Sequence, residues 1–274
     1  MSGAATAAPD GARDEGRGRV ALVTGGASGI GLATATVLAG RNWRVVIGDL
    51  DPTRCREAAA PFGAETAAFD VSDEGATETA VADIEARLGP VEALVANAGL
   101  IQPPLSPESS ALADWDRVVA VNLRGVYVSC VAAGRRMAAR GTGGIVVTGS
   151  VTARRTAPLH AYAPTKAAVV HMAACLAAEW GRSGVRVNAV SPGYTGTPAL
   201  LAAIQSGQRD AALLCEGAAL GRMVEPEEVG RAVAFLLSDD AAAITGIDLP
   251  VDAGWLCASH LTTYGGVRPK RSLS

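Results

Sequence analysis

Histidine is scarce in this chain, and its cysteines are scattered rather than clustered. The 274 residues contain three histidines and five cysteines, and no two cysteines form a C-x-x-C pair. Zinc sites and disulfide frameworks need such residues at short, regular spacings. The sequence therefore predicts neither a metal site nor a disulfide scaffold, and it predicts buried thiols instead. The cysteines are Cys55, Cys130, Cys175, Cys215 and Cys257.

A long apolar run and a strong net charge are missing as well. No stretch reaches the roughly 18 apolar residues that a membrane span needs, and the formal net charge is only −3. A basic surface for nucleic acid or anionic lipid is not indicated, so neither partner is expected. Residues 1–18 lack an apolar segment and carry acids, which argues against a secretory signal or transit peptide. We expect a disordered tail there, and a cytoplasmic protein.

Short apolar runs alternate with helical patterns from residue 19 to residue 254. Such alternation, without a linker or internal repeat, predicts an α/β fold in which one doubly wound parallel sheet carries helices on both faces. With 49% hydrophobic residues, the chain is long enough for one large core in a single domain. Residues 194–222 interrupt the alternation and predict a lid over the cleft. Residues 255–274 form a C-terminal extension without a clear period.

A glycine-rich turn follows the first strand-like run, RVALVT at residues 19–24. The turn runs from Gly25 to Gly31 and leads directly into the helix-forming segment LATATVLAG. Strand, glycine turn and helix in this order are typical of a phosphate-binding loop, because glycines let the backbone approach a pyrophosphate and the helix N-terminus offers free N–H groups. The pattern predicts a dinucleotide site, and the alternative is a turn that binds no ligand.

Asp49 ends the second predicted strand, RVVIGD, 18 residues beyond Gly31. An acidic residue about 20 positions after the glycine turn is expected to bind the adenosine ribose hydroxyls. Its charge would also repel a 2′-phosphate, so NAD is favoured over NADP, although Arg44 and Arg54 are close enough in sequence to weaken that preference. A helix N-cap or turn residue is the structural alternative for Asp49.

Acidic, amide and small residues end the third and fourth predicted strands. Asp70 and Val71 close ETAAFDV at residues 65–71, and the tripeptide Asn97-Ala98-Gly99 closes VEALVANAG. Ligands bind beyond the carboxyl ends of parallel strands, where small residues permit close approach. These strand ends are therefore expected to face a cofactor.

Two further candidates lie in later segments. An apolar helix is predicted from about residue 112 to residue 139, and Asn122 lies inside it, where asparagine is a poor helix former. A buried asparagine needs hydrogen-bond partners, so it either satisfies the core or belongs to a site. The sixth predicted strand, GVRVNAVSPG, ends in Pro192-Gly193, just before the predicted lid.

The segment from Ser150 to Lys166 carries the reactive candidates. Ser150 follows an apolar run, and Tyr162 and Lys166 are four residues apart in a predicted helix, which places them on one face. A phenol with a pKa of about 10 is a poor base near neutral pH. A lysine about 4 Å away would favour the phenolate by up to roughly 4 kcal/mol before desolvation opposes it. Tyr162 is then a candidate acid or base that acts beside Ser150; the alternative is two solvated residues on a helix face.

Taken together, these motifs closely resemble the short-chain dehydrogenase/reductase family over about residues 19–254. The resemblance implies a single-domain Rossmann fold with a nicotinamide cofactor. The motifs that carry it are Thr24-Gly25-x-x-x-Gly29-Ile30-Gly31, Asp70, Asn97-Ala98-Gly99, Asn122, Ser150, Tyr162-x-x-x-Lys166, Pro192-Gly193 and the segments ITG and VDAG between residues 244 and 254.

The resemblance also implies roles for single residues. Tyr162 would be the general acid/base, Lys166 would bind the nicotinamide ribose and lower the pKa of Tyr162, and Ser150 would orient the substrate. Asn122 would hold a relay water through its backbone. The implied cofactor residues are Gly25, Ser28, Gly29, Ile30 and Gly31 at the pyrophosphate and adenosine, Asp49 and Leu50 at the ribose, Asp70 and Val71 at the adenine, Asn97, Ala98 and Gly99 at the centre, and Pro192, Gly193, Thr195 and Thr197 around the nicotinamide.

The expected activity is the NAD(H)-dependent interconversion of a secondary alcohol (a small alcohol, cyclic diol or polyol) and its ketone. An apolar cleft lining from residues 100–105, 151–160 and the lid suits a substrate with an apolar flank, with His160, Gln102 and Gln205 as polar options. NADPH-dependent reduction of a 3-oxoacyl thioester is the alternative within the family, and a non-catalytic NAD(H)-sensing protein is the alternative outside enzymes. The resemblance also implies a homo-oligomer, either tetramer or dimer, formed through the helices predicted at 112–139 and 161–182.

Overall fold

Seven apolar segments pair as parallel strands in the computed structural model, which describes residues 15–267. The strands are β1 (Val20–Thr24), β2 (Arg44–Asp49), β3 (Glu65–Ala68), β4 (Val91–Ala96), β5 (Gly143–Thr148), β6 (Val185–Pro192) and β7 (Asp248–Val251). Their order across the sheet is β3-β2-β1-β4-β5-β6-β7. Since the order reverses between β1 and β4, the carboxyl ends of these two strands flank the crevice where ligands bind in such sheets.

Helices connect the strands and cover both faces of the sheet, so the predicted doubly wound α/β fold with a single domain is confirmed. They are α1 (Gly29–Ala39), α2 (Pro52–Ala59), α3 (Glu74–Leu88), α4 (Leu112–Val119), α5 (Val126–Arg140), α6 (Tyr162–Trp180), α7 (Pro198–Gln205), α8 (Ala211–Glu216), α9 (Pro226–Leu237) and α10 (Trp255–Ala258). Among the described residues, no helix is long and apolar enough to cross a membrane.

Two apolar layers hold these helices against the sheet. On one face, α3, α5 and α6 bury side chains such as Ile84, Met137 and Val169. On the other face, α1 and α9 bury Leu38 and Val233 together with the inward residues of β1 and β2. Burial of this apolar surface, at about 25 cal/mol per Å², is the main term that fixes the strand ends in place.

The cysteine prediction is partly confirmed. All five cysteines are free thiols, and burial raises the pKa of the Cys130 thiol to about 12. Cys55 is buried as well, but Cys175 and Cys257 are exposed, so the buried-thiol prediction is wrong for these two. Among residues 15–267, no group of three or more histidine, cysteine or carboxylate side chains is placed to hold a metal ion.

Two element boundaries differ from the prediction. The third strand ends at Ala68 rather than at Val71, because the Asp70 carboxylate accepts hydrogen bonds from the backbone N–H and hydroxyl of Ser72, at 2.8 and 2.7 Å, and turns the chain. The helix predicted at 112–139 is α4 followed by a π-helical segment at Ala120–Gly125 and then by α5. Such wide turns frequently occur at functional sites.

The chain ends also correct the prediction. Residues 1–14 of the expected disordered tail lie outside the described residues, but 15–18 pack against the turn after α1. There the Glu15 carboxylate pairs with Arg41 at 2.9 Å, and Gly16 N–H donates to the Arg41 carbonyl at 2.8 Å. The C-terminal extension is helical at α10 and continues as a 3₁₀ segment over 259–264. Residues 268–274 lie outside the described residues.

Candidate active site

Ser150, Tyr162 and Lys166 meet just beyond the carboxyl end of β5. Ser150 lies two residues after the strand, Tyr162 is the first residue of α6, and Lys166 is one turn further along it. The Ser150 side chain lies near enough to the Tyr162 phenol to lower its pKa by hydrogen bonding. The Lys166 ammonium lies 5.5 Å from the centre of the Tyr162 ring and donates to the Thr148 carbonyl at 2.7 Å. The structure therefore brings the three predicted residues into one cluster.

Burial changes the acidity of both titratable groups in this cluster. It raises the pKa of Tyr162, while the hydrogen bond from Ser150 opposes the change. It lowers the pKa of Lys166 to about 8, because a buried ammonium loses its hydration. Desolvation of the phenolate dominates in the chain alone, so the net change in the Tyr162 pKa is upward. Lys166 remains a cation at neutral pH.

Asn122 is completely buried in the π-helical segment and anchors the loop after β4. Its side-chain oxygen accepts from Leu100 N–H at 2.7 Å, and its amide nitrogen donates to the Leu100 carbonyl at 2.8 Å. Its side-chain oxygen and the Lys166 ammonium both lie beside Gly99, 3.5 and 3.6 Å from where a Cβ would stand. Asn122 therefore borders the Tyr162 cluster and gives its side chain to the loop rather than to a ligand.

The glycine turn is held against the end of β4. Gly25 has a φ of +63°, and a Cβ on it would lie 2.8 Å from the Ala98 Cα. A Cβ on Gly31 would overlap the Gly25 carbonyl oxygen. The Asn97 amide nitrogen donates to the carbonyls of Thr24 and Gly25, at 3.2 Å each. Asn97 thus fixes the turn, and Ala98 forms its floor.

The start of α1 fits the phosphates of a dinucleotide. Ser28 precedes the helix in an extended conformation, and no side chain caps the first N–H groups. Gly29, with φ at +53°, Ile30 and Gly31 form the first turn, so their N–H groups point out of the helix end. A helix N-terminus of this kind favours an anionic group. The described residues therefore offer backbone donors where a pyrophosphate would be held.

Asp49 is placed at the carboxyl end of β2, beside the glycine turn. Its carboxylate accepts from Ala27 N–H at 3.3 Å and from Leu50 N–H at 2.8 Å. Leu50 is 66% exposed and is free to cover a ribose or base. Arg44 stands at the opposite end of β2, roughly 16 Å away at about 3.3 Å per residue, and pairs with Glu65. Arg44 is therefore not a partner for a phosphate at Asp49.

Four further residues predicted to contact the cofactor lie at the ends of β3 and β6. Val71 is buried and packs on the Gly125 backbone, and one Asp70 oxygen is used within its own turn. Pro192 ends β6, and Gly193 lies against the Asp252 backbone, 2.8 Å from where its Cβ would stand. The structure places all four at the carboxyl edge of the sheet.

Both threonines predicted near the nicotinamide have partners within the protein. Thr195 is buried and its hydroxyl donates to the Gly193 carbonyl at 3.0 Å. The Thr197 hydroxyl caps α7 by accepting from Leu200 N–H at 3.4 Å, and its methyl group lies beside Gly29. Thr197 therefore joins the segment predicted as a lid to the glycine turn.

Sequence reasoning did not predict the hydrogen bonds by which Thr24, Thr148 and Gln102 hold the site together. The Thr24 hydroxyl accepts from Asn97 N–H at 3.1 Å and from Ala98 N–H at 3.3 Å, and the Thr148 hydroxyl donates to the Asn97 side-chain oxygen at 3.2 Å. Gln102 accepts from the backbone at the start of α6. The two threonines were detectable as polar strand ends, whereas Gln102 gives no local signal because its partners lie 59 and 60 positions away.

A cavity of about 140 Å³ lies beside the loop after β4. Its wall is mainly apolar and includes Leu105 and Trp115, with Gln102 and His160 as polar members. His160 is two residues before Tyr162, so the cavity adjoins the start of the catalytic candidate's helix. Of the three polar residues predicted to line the cleft, Gln102 and His160 line this cavity and Gln205 does not.

Comparison with known proteins identifies relatives of this chain. The family model described as enoyl-(acyl carrier protein) reductase matches residues 25–256. The chain is 39% identical over 245 residues to D-threitol dehydrogenase from Mycolicibacterium smegmatis, which covers 87% of this chain and 93% of that protein. It is 40% identical over 242 residues to cis-4-hydroxycyclohexanecarboxylate dehydrogenase from Sinomonas cyclohexanicum, with 86% and 96% covered.

Solved structures agree with the fold. A structure named ribose-5-phosphate isomerase from Brucella melitensis 16M has a TM-score of 0.89 at 43% identity, covering 92% of this chain and 98% of that one. A 3-ketoacyl-(acyl-carrier-protein) reductase from Brucella melitensis, complexed with NADH, has a TM-score of 0.81 at 33% identity, with 87% and 98% covered. These two names denote different reactions, so the likeness identifies the family rather than the substrate. The chain belongs to the short-chain dehydrogenase/reductase family and is an oxidoreductase that acts on CH–OH groups.

Proposed function

We propose that the protein is an NAD(H)-dependent oxidoreductase that interconverts a secondary alcohol and its ketone, with Tyr162 as the general acid/base. One observation carries the proposal: Ser150, Tyr162 and Lys166 form a single cluster at the carboxyl edge where the glycine turn also lies. A hydroxyl, a phenol and an ammonium placed close together can carry out a proton transfer at a carbonyl or hydroxyl oxygen.

Tyr162, Ser150 and Lys166 have different roles at the reacting oxygen. In the oxidative direction, the Tyr162 phenolate takes the hydroxyl proton, while Ser150 donates a hydrogen bond that holds the same oxygen in place. The Lys166 ammonium, near the Tyr162 ring, stabilises the phenolate. When bound, the nicotinamide cofactor supplies the hydride chemistry. In the reductive direction, Tyr162 returns the proton to the oxygen of the ketone.

Asp49 supports NAD over NADP as the cofactor. Its carboxylate lies beside the glycine turn, where it would accept bonds from ribose hydroxyls and repel a 2′-phosphate. Arg44 is paired with Glu65 at the far end of the strand, so it does not offset that repulsion. We also propose that the cofactor contacts the other residues predicted from the sequence at the carboxyl edge of the sheet, from Ser28 and Ile30 to Gly193.

The substrate class follows from the relatives and from the wall of the cleft. The two curated relatives described above are named for a polyol and for a hydroxycyclohexane, both of which carry secondary hydroxyl groups. The cavity beside His160 is lined mainly by apolar side chains and has few polar groups. We therefore propose a small secondary alcohol, cyclic diol or polyol, with residues 194–222 as a lid over it.

Reduction of a 3-oxoacyl thioester is the second candidate. The structural neighbour named for that reaction supports it, and so does the acyl-carrier description of the family model. That neighbour is complexed with NADH, so cofactor choice alone does not separate the two substrates. A polyol such as D-threitol and a 3-oxoacyl thioester must be compared directly.

Two further properties belong to the proposal. Exposed apolar residues on α4 and α5, namely Leu112, Trp115 and Tyr127, support a homo-oligomer, either dimer or tetramer. A cytoplasmic location, expected from the sequence, is the second property. Light scattering on the purified full chain tests the first of these.

The test is a steady-state assay of secondary alcohols, polyols, ketones and a 3-oxoacyl thioester, each with both cofactors, followed by absorbance of the reduced nicotinamide. We expect the highest kcat/KM for a polyol or cyclic alcohol with NAD. A higher kcat/KM for the thioester would establish the second candidate. NADH binding by calorimetry without turnover on any compound would instead indicate a sensing protein.

A further inference from the structure

The N-terminus of α6 is closed by a side chain from a distant loop. Ala161 is the N-cap residue and has no side chain that accepts a hydrogen bond. The Gln102 side-chain oxygen accepts instead from Ala161 N–H at 2.6 Å and from Tyr162 N–H at 3.0 Å. The first residue of α6 is the proposed acid/base itself, so this cap binds the backbone that carries the reacting phenol.

Among residues 15–267, no other side chain accepts a hydrogen bond from the first N–H groups of α6. Ala163 N–H donates to the Leu159 carbonyl at 2.9 Å, and Thr165 N–H donates to the Ala161 carbonyl at 3.2 Å. Pro164 has no N–H to satisfy. The first N–H groups of a helix otherwise have no partner within the helix, so Gln102 supplies the side-chain acceptor for the Tyr162 N–H group.

The loop that carries Gln102 is itself fixed on its other side. Both backbone groups of Leu100 bond to the side chain of Asn122 in the π-helical segment, at 2.7 and 2.8 Å. A continuous brace therefore runs from Asn122 through Leu100 and Gln102 to the backbone of Tyr162. The brace joins the loop after β4 to the start of α6.

We propose that Gln102 is a positioning residue for the reaction: by capping α6 it holds the Tyr162 hydroxyl against Ser150. This inference rests on the proposed role of Tyr162. A helix end without its cap frays and lets Tyr162 move, and a displacement of about 1 Å at a reacting group can lower the rate about 100-fold.

Two substitutions at Gln102 separate positioning from general structural damage. Gln102→Met keeps the size of the side chain but removes the acceptor, whereas Gln102→Glu keeps an acceptor for both N–H groups. Asp73→Ala is the matched control, because it removes a side-chain cap of the same kind from α3, where Asp73 accepts from Ala76 N–H at 3.0 Å. Tyr162→Phe is assayed in parallel.

The measurements on the full chain are kcat and KM for the best alcohol of the panel, the pH profile of oxidation, and amide hydrogen exchange at Ala161 and Tyr162. For Gln102→Met we expect kcat to fall at least about tenfold, KM for NAD to stay within about twofold, and both amides to exchange faster. For Gln102→Glu we expect a kcat within about threefold of wild type. The rate of alcohol oxidation should begin to rise at a higher pH than in the wild type, because an added carboxylate disfavours the phenolate.

The outcomes separate the two proposals. If Tyr162→Phe abolishes turnover while folded Gln102→Met keeps wild-type kcat, pH profile and exchange rates, the positioning role is wrong and the proposed function stands. Equal impairment of Gln102→Glu and Gln102→Met would also overturn the positioning role. If Tyr162→Phe retains turnover, the proposed function fails, and this inference fails with it.

Discussion

The glycine turn and the Ser150–Tyr162–Lys166 cluster are built in opposite ways. The turn is one continuous segment that offers backbone N–H groups, and small residues make its shape possible. The cluster uses side chains, and the groups that place them come from separate elements: Thr148 on β5, Gln102 in the loop after β4, and Asn122 in the π-helical segment.

This difference predicts that the two regions fail separately. Changes in the turn should weaken cofactor binding, because they displace backbone donors. Changes in the cluster should lower turnover and leave binding nearly unchanged, because they remove groups that act on the reacting oxygen. The predictions below test that separation, from the largest expected effect to the smallest.

Ser150→Ala should lower kcat about 100- to 1,000-fold, since it removes a donor aimed at the reacting oxygen. The dissociation constant for NADH should stay within about twofold of wild type. Steady-state kinetics and calorimetry measure the two quantities. Ser106→Ala is the control, because the hydroxyl of Ser106 bonds to Ser109 and Glu108 in an exposed turn away from the cluster. Wild-type turnover in Ser150→Ala would remove this residue from the mechanism.

Gly31→Ala should act on the other region. The new methyl group overlaps the Gly25 carbonyl oxygen, so the turn must widen. Overpacking of this kind lowers the free energy of unfolding by about 1–3 kcal/mol, and we expect the Kd for NADH to rise about tenfold or more. Gly40→Ala is the control, since its φ is −63° and its neighbours leave room for a methyl group. Unchanged NADH binding in Gly31→Ala would contradict the assignment of the turn.

Alcohol oxidation should depend on pH through Tyr162. Burial raises the pKa of this phenol, so the basic form is scarce at neutral pH, and kcat/KM should rise up to about tenfold per pH unit. The pKa of Lys166 is about 8, so loss of its charge above that pH should weaken the support for the phenolate and flatten the rise. Ketone reduction uses the phenol and should not rise with pH. An oxidation rate that is constant from pH 6 to 9 would contradict this account.

Asp49→Asn should change cofactor preference by a smaller factor. The amide keeps an oxygen that can accept from Ala27 N–H, but the repulsion of a 2′-phosphate is lost. We expect the ratio of kcat/KM for NADPH to that for NADH to rise about tenfold, which corresponds to about 1.4 kcal/mol. Asp51→Asn removes a neighbouring charge that caps α2 and serves as the control. If the ratio of kcat/KM rises equally in both variants, the effect comes from the loss of negative charge in this region and not from a contact between Asp49 and the ribose.

The local features of this protein were predictable from sequence, because spacing and periodicity determine them. The run before Gly25, the turn up to Gly31 and the placement of Asp49 follow from strand, turn and helix patterns. The parallel sheet follows from the alternation of these elements. The pairing of Tyr162 with Lys166 was also predictable, since one turn of α6 separates them.

Features that depend on tertiary packing were not predictable in the same way. The direction of the Tyr162 pKa change depends on how deeply the phenol is buried, which no spacing reveals. The cap from Gln102 joins positions about 60 residues apart. The π-helical segment around Asn122 and the early end of β3 reflect side-chain bonds to backbone groups that sequence periodicity does not contain.

The most direct measurement of the central claim is Tyr162→Phe, assayed for turnover and for NADH binding in the same preparation. The account predicts a kcat at least about 100-fold lower, because the phenol that moves the proton is gone, with the Kd for NADH within about twofold of wild type. Turnover within tenfold of wild type would contradict the claim that Tyr162 is the acid/base of this enzyme.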